Sequence, residues 1–168
     1  RETGAPVILQ MYTRLFDTGL AKYLMPALKE VANELETPVA IHLDHGAGMP
    51  QAVRAIKYGA TSVMIDASTK AFEENVETTR AVVNIAKCGG ITVEGELGHV
   101  GSAANGDETG SYTEVGAAAE FVKQTGVDAL AVMVGTAHGK YKKAPVLAID
   151  RIAELHKAVN AHLVLHGG

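Results

Sequence analysis

Residues 42 to 45 read His-Leu-Asp-His, placing His42, Asp44 and His45 directly after the apolar run that starts at Pro38. Neutral imidazole is a good zinc ligand, and a carboxylate beside one is suited to moving a proton, so this cluster could support metal-assisted acid–base chemistry. The arrangement recurs: "VMVGTAHG" ends in His138 and "LVLHGG" in His166, each an apolar run, then a histidine, then glycine. Three histidines in equivalent placements suit a zinc site with an open coordination position. Gly46 and Gly48 follow His45, and their lack of a side chain lets the backbone bend and a ligand approach.

Carboxylates end other apolar runs. Asp66 closes "TSVMID", and Glu94 and Glu96 alternate in "ITVEGELG". Under the period-2 rule Glu94 and Glu96 share one strand face, with Val93 and Leu97 on the other. A solvated face would explain alternating glutamates, but neither face of a buried parallel strand is free to water, so a cationic partner is expected for one of them. By the same rule His42 and Asp44 share a face, while Ile41 and Leu43 point to the other. For His42 alone the ordinary reading, a hydrogen-bonded core histidine, is preferred. His156 falls in a helical stretch and His162 opens a strand, which makes both surface or packing residues. His99 begins a polar loop and its role stays open.

Positioning these residues requires alternating elements, and the pattern supplies them. Short runs rich in β-branched residues, at 5 to 10, 37 to 44, 61 to 68, 91 to 98, 129 to 139 and 162 to 168, predict strands. Helical periods lie between them: Gly19 to Leu35, Met49 to Tyr58, Phe72 to Cys88, Thr113 to Gln124 and Ala148 to Val159. Such alternation means βαβ units and a parallel sheet. "KYGATS" and "KQTGVD" put Gly59 and Gly126 just past a helix end, where a left-handed cap favours glycine. The connection from Gly98 to Thr113 lacks apolar periodicity. Its glycine-rich, polar composition predicts a functional loop, mobile from Gly101 to Ser111 without substrate.

An open doubly wound sheet and a closed (β/α)8 barrel both fit alternating units. No G-x-G-x-x-G follows the first strand and no Walker sequence occurs, which weakens the nucleotide-binding doubly wound reading. Polar residues at the C-terminal ends of several strands instead match the face on which barrel enzymes build their sites. Six βα-type units are present where closure needs eight, so the expected fold is an incomplete (β/α)8 TIM barrel, with the first and last strands missing and residues 1–168 forming one domain. An apolar content of 47% is enough for a sizeable core. A net charge of -4 with no basic cluster, and few aromatics, argue against nucleic acid as a partner. The lone Cys88 forms no internal disulfide, and no apolar run approaches the ~20 residues of a membrane helix, which together suggest a cytoplasmic protein without a membrane partner.

"HLDHG", "SVMIDAS" with "FEENVETTR", "VEGELGHVG", "TGVDALAVMVGTAHGKYK" and "LVLHGG" resemble, in this order from about Pro38 to Gly168, the motifs of class II zinc-dependent ketose-bisphosphate aldolases. That family contains fructose-bisphosphate and tagatose-bisphosphate aldolases. The resemblance implies a TIM barrel in which His45, His138 and His166 bind a catalytic Zn2+ and Asp44 transfers the proton. It further implies that Glu96 and Asp66 line a second position into which the metal shifts. Gly139, Lys142 and Gly167 would match loops that hold a substrate phosphate and, through backbone carbonyls, a monovalent cation. The implied reaction is reversible cleavage of a ketose 1,6-bisphosphate, fructose or tagatose, to dihydroxyacetone phosphate and glyceraldehyde 3-phosphate, by a homodimer or homotetramer.

The chain also departs from the family pattern. Relatives carry paired acids in the loop after "ELG"; here Ala103 and Ala104 stand near those positions, leaving Asp107 or Glu108 as replacements. After "PVILQ" relatives carry serine or serine-glycine, whereas this chain has Met11, Tyr12 and Thr13. Two other functions compete with the aldolase: a noncatalytic aldolase-like chain supporting a partner subunit, and a barrel hydrolase using the metal to activate water. Retention of Asp44 with all three histidines favours the aldolase, because a supporting chain has no chemical need for an open zinc site.

Overall fold

Valine, isoleucine and threonine crowd the short runs, and each run folds as a strand because branched side chains pack well on a pleated, half-buried surface. The computed structural model describes residues 4–100, 112–141 and 144–167. Its elements in chain order are β1 (Val7–Tyr12), α1 (Arg14–Asp17), α2 (Ala21–Asn33), β2 (Val39–Gly46), α3 (Met49–Lys57), β3 (Ser62–Ile65), α4 (Phe72–Cys88), β4 (Thr92–Leu97), α5 (Val115–Thr125), β5 (Ala129–Val132), α6 (Ile149–Ala158) and β6 (His162–Val164). The expected strands and helices are all present. Only α1 was not foreseen, since a single turn is too short to show a period. The loop expected to be mobile, 101–111, lies outside the described residues.

The strands follow one another in chain order, β1-β2-β3-β4-β5-β6, and the pairs β1–β2, β2–β3, β4–β5 and β5–β6 are all parallel. A doubly wound sheet reverses its strand order at a switch point, whereas a (β/α)8 barrel adds each strand beside the last. The uninterrupted order assigns the chain to the second class: an α/β fold with six strands of an incomplete TIM barrel.

Two compact units make up the chain, the first from Arg1–Asp66 with Ala81–Val93, the second from Ala67–Arg80 with Glu94–Gly168. In the first unit, Ile41 and Leu43 of β2 and Val63, Met64 and Ile65 of β3 are buried, along with Ala52 and Ala55 of α3 and Met25 of α2. Proline in the first turn of α3 is compatible with its start, because the amide hydrogen it lacks would have no helical partner there. Past its end Gly59, at φ +102, turns the chain into β3, as the sequence predicted.

In the second unit the buried positions of α5 are Ala118, Phe121, Val122 and Thr125, the i, i+3, i+4, i+7 stripe of a helix packed by one face. Gly126 ends it in the left-handed conformation, at φ 70 and ψ 31. Phe121 lies against Gly95 of β4, where an added Cβ would stand 2.9 Å from the ring, and meets Phe72 edge-on at 6.2 Å. Glycine in β4 is therefore a packing requirement. Phe121→Ala would leave a cavity at a fully buried site and is expected to cost about 3–5 kcal/mol, read as a lowered urea midpoint at constant m-value.

Candidate functional site

The first unit carries the sequence cluster that ends β2. Pairing of β2 with β3 matches Leu43 to Val63 and Gly46 to Ile65, so three steps on β2 answer two on β3. This is a β-bulge, which inserts one residue and re-aims the side chains beside it. Strict alternation would have put His45 on the face of Leu43, opposite Asp44. Instead His45 takes φ +48, making it the only non-glycine residue with positive φ among the described residues, and its Nε2 comes to 3.9 Å from Asp44 Oδ1. A non-glycine residue held there costs of order 1–3 kcal/mol, strain that collects at functional sites.

Three neighbours define the setting of His45. Its Nδ1 is 2.9 Å from Asp66 Oδ2, and because a carboxylate only accepts, the imidazole donates from Nδ1. The Tyr12 ring, at the end of β1 and in register with Asp44, meets the imidazole edge-on at 6.1 Å. Gly46 follows, where an added Cβ would fall 2.5 Å from the Met64 carbonyl oxygen. His42, 4% exposed, pairs through Nδ1 with Ser62 Oγ at 2.8 Å, which fits the ordinary reading of a hydrogen-bonded core histidine.

The second unit brings together His138, His166 and Glu94. His166 Nε2 is 2.8 Å from Glu94 Oε1, both groups being buried, and the His138 and His166 rings meet edge-on at 5.7 Å. Neither histidine sits on its strand: β5 stops at Val132 and β6 at Val164. The predicted strand from 129 to 139 ends early, at Val132, and Gly135, at φ +104, then turns the chain at a point where an added Cβ would collide with the Val146 carbonyl oxygen. The loop is then pinned where Ala137 N–H donates to Tyr141 Oη at 2.8 Å. Gly167, at φ +103, lets the two histidine loops touch, since a Cβ there would lie 2.5 Å from the Ala137 carbonyl oxygen.

Glu96 is fully buried and accepts the Val100 N–H at 3.2 Å through Oε1. Its backbone carbonyl receives Asn75 Nδ2 of α4 at 2.9 Å, and Asn75 Oδ1 in turn accepts the Thr79 hydroxyl at 3.1 Å. Of the expected phosphate-loop residues, Gly139 is exposed at φ +93, Gly167 is described above, and Lys142 lies outside the described residues, as do Asp107 and Glu108. A cationic partner is expected for one glutamate of β4; Glu94 pairs with the imidazole of His166, which is not a permanent cation. The sequence places Thr113 at the start of a helix, whereas in the fold it bridges two strand ends, its hydroxyl donating to Leu97 O at 2.6 Å and accepting Met133 N–H at 2.9 Å. No sequence signal marks that role, because its partners are backbone atoms far along the chain.

The donor set fits zinc. Metal-binding histidines usually donate their second ring nitrogen to a carboxylate or carbonyl, and His45 with Asp66 and His166 with Glu94 both show that pairing. Under that pattern the nitrogen that would face a metal is Nε2 in His45 and Nδ1 in His166. His138 stands close enough to His166 for both rings to reach one ion.

Parallel strands added in barrel order, with imidazole–carboxylate pairs at or beyond the C-terminal ends of β2 and β6, define a protein of the α/β-barrel class. The family model of class II fructose-bisphosphate aldolase matches residues 1–168, and the chain belongs to that family. It is 42% identical over 175 residues to a probable fructose-bisphosphate aldolase of Bacillus subtilis, covering 99% of this chain and 60% of that protein. It is 39% identical over 170 residues to a sulfofructosephosphate aldolase of Alkalicoccus urumqiensis, covering 98% of this chain and 58% of the relative. The crystal structure of the YdjI aldolase of Escherichia coli K12 superposes with a TM-score of 0.88 at 35% identity, over 99% of this chain and 59% of that one. The chain thus spans about 60% of the length of these relatives. No helix among the described residues is long and apolar enough to cross a membrane.

Proposed function

We propose that the chain carries the metal-binding part of a cytoplasmic, zinc-dependent aldolase that cleaves a ketose 1,6-bisphosphate, fructose or tagatose, to dihydroxyacetone phosphate and glyceraldehyde 3-phosphate. The observation that carries this reading is the pair of oriented imidazoles, His45 on Asp66 and His166 on Glu94, in a chain matched to the family over its whole length. In this reading His45, His138 and His166 bind one Zn2+. Asp66 and Glu96 border a second position for the ion. The loops of Gly139, Lys142 and Gly167 hold a phosphate and a monovalent cation. The assembly is a homodimer or homotetramer.

Zinc held there supplies a Lewis acid for the negative charge that develops on the ketone oxygen during cleavage. Asp44 accepts the proton of the C4 hydroxyl as the C3–C4 bond breaks, so that C4 becomes the aldehyde carbon and the bonding electron pair passes to the three-carbon fragment. The proton then returns to C3 of that fragment, by way of an acid or water. Asp44 suits the first step because it lies next in sequence to a zinc ligand, with Oδ1 3.9 Å from the His45 ring.

Removal of metal tests the reading. After exhaustive chelation the full-length protein should lose cleavage of fructose and tagatose 1,6-bisphosphates, followed by coupled detection of the triose phosphates, and stoichiometric zinc should restore it. Cleavage that persists in metal-free protein overturns the proposal. Release of inorganic phosphate without triose phosphate would identify a hydrolase, and zinc binding with no turnover of any ketose bisphosphate would identify a noncatalytic chain.

A further inference from the structure

We propose that Gln51 is a positioning residue for His45, holding the bulged end of β2 in the one conformation that presents its imidazole to the metal. The inference rests on the reading of His45 as a zinc ligand. Because φ +48 is unfavourable for histidine, the conformation persists only where the surroundings over-determine it. The peptide groups around His45 are pinned on both sides. Thr13 N–H donates to the Asp44 carbonyl at 3.0 Å, and Asp66 N–H donates to the Gly46 carbonyl at 3.0 Å. The next peptide is held by a side chain: Ala47 N–H donates to Gln51 Oε1 at 2.8 Å.

That same oxygen accepts the Thr13 hydroxyl at 2.7 Å, and Gln51 Nε2 donates to Asp17 Oδ1 at 3.0 Å. One amide, 7% exposed, therefore ties the loop after His45 to the end of β1 and to α1. Thr13 holds both groups, its backbone N–H on the Asp44 carbonyl and its hydroxyl on Gln51. The side chain thus closes a ring of hydrogen bonds around residues 44 to 47. A buried amide with both its oxygen and its nitrogen engaged has one orientation, which is what a positioning group needs. Gln51 stands in the third position of α3 and its side chain reaches back before the helix start, as in a capping box. A purely helix-capping role is therefore the competing explanation, and it makes a different prediction.

Zinc affinity is measured by competition with a chromophoric chelator, and the coordination sphere is followed by the visible spectrum of the cobalt-substituted protein, in wild type, Gln51→Leu, Gln51→Glu and the double variant Gln51→Glu/Asp17→Asn. Gln51→Leu should weaken zinc by about 10- to 100-fold and alter the cobalt bands. Gln51→Glu sets a carboxylate against Asp17 and should also weaken zinc, and adding Asp17→Asn, which restores a donor–acceptor pair with the roles exchanged, should bring the affinity back. If Gln51 only caps α3, the metal-free protein loses stability while zinc affinity and the cobalt spectrum stay at wild-type values, and the proposal is overturned. Should Gln51→Leu not fold, the comparison of Gln51→Glu with the double variant decides: equal affinities in the two overturn it. His45→Ala is the control for the underlying reading, since zinc binding unchanged in that variant removes the ligand assignment itself and the inference with it.

Discussion

Asp44→Ala is expected to lower kcat for ketose-bisphosphate cleavage by about 10²- to 10⁴-fold, the contribution of a positioned acid or base, while zinc content stays near that of the wild type. The reason is positional. Asp44 ends β2 immediately before the bulge, with Oδ1 buried and 3.9 Å from His45 Nε2. The carboxylate that orients His45 is a different one, Asp66, 2.9 Å from Nδ1. Removing Asp44 therefore takes away a proton acceptor and leaves the orienting hydrogen bond in place. Steady-state cleavage and metal analysis on the same preparation check this. Loss of zinc in Asp44→Ala, with turnover recovered on adding zinc, would make Asp44 structural.

His45→Ala should fail in the opposite order. One of three proposed protein ligands disappears, so zinc affinity should fall by more than the ~10- to 100-fold that loss of an orienting group costs, with activity falling in proportion to metal occupancy. Alanine at φ +48 is also unfavourable, so unfolding of the metal-free variant is measured in parallel to separate backbone effects from coordination. His138→Ala and His166→Ala should behave alike, although their backbones differ, because the shared property is the imidazole. Zinc retained at wild-type affinity in any of the three removes that residue from the ligand set.

Much of this was legible from residue order. β-branched runs alternating with 3.6-residue periods require parallel βαβ units, and the absence of a nucleotide-binding glycine pattern with polar residues ending the strands pointed to a barrel. Gly59 and Gly126 could be placed beyond helix ends because a left-handed cap has a local chemical signature. Histidine and carboxylate types, with their glycine neighbours, were enough to nominate the candidate residues.

Other features depend on atoms distant in sequence. Strict alternation would set His45 opposite Asp44; the register shift between Leu43 and Gly46 interrupts that alternation, and a bulge is set by pairing with β3, which no local pattern encodes. The strand expected over 129–139 stops at Val132, and Gly135 then turns the chain so close to the Val146 backbone that no side chain fits there. Glu94 and Glu96 look equivalent in sequence, yet one meets His166, 72 residues away, and the other folds back onto the Val100 amide. Gln51 and Thr113 were invisible as functional candidates, since the partners that define their roles, Thr13 and Asp17 for Gln51 and the Leu97 and Met133 backbone for Thr113, are brought near only by folding. Local order alone thus determined the kind of elements and the chemistry available at their ends, because propensity and periodicity act over a few residues. Which nitrogen of each imidazole is tied down, and which face His45 presents, were decided by tertiary structure, because hydrogen bonds and strand register depend on partners that only the folded chain supplies.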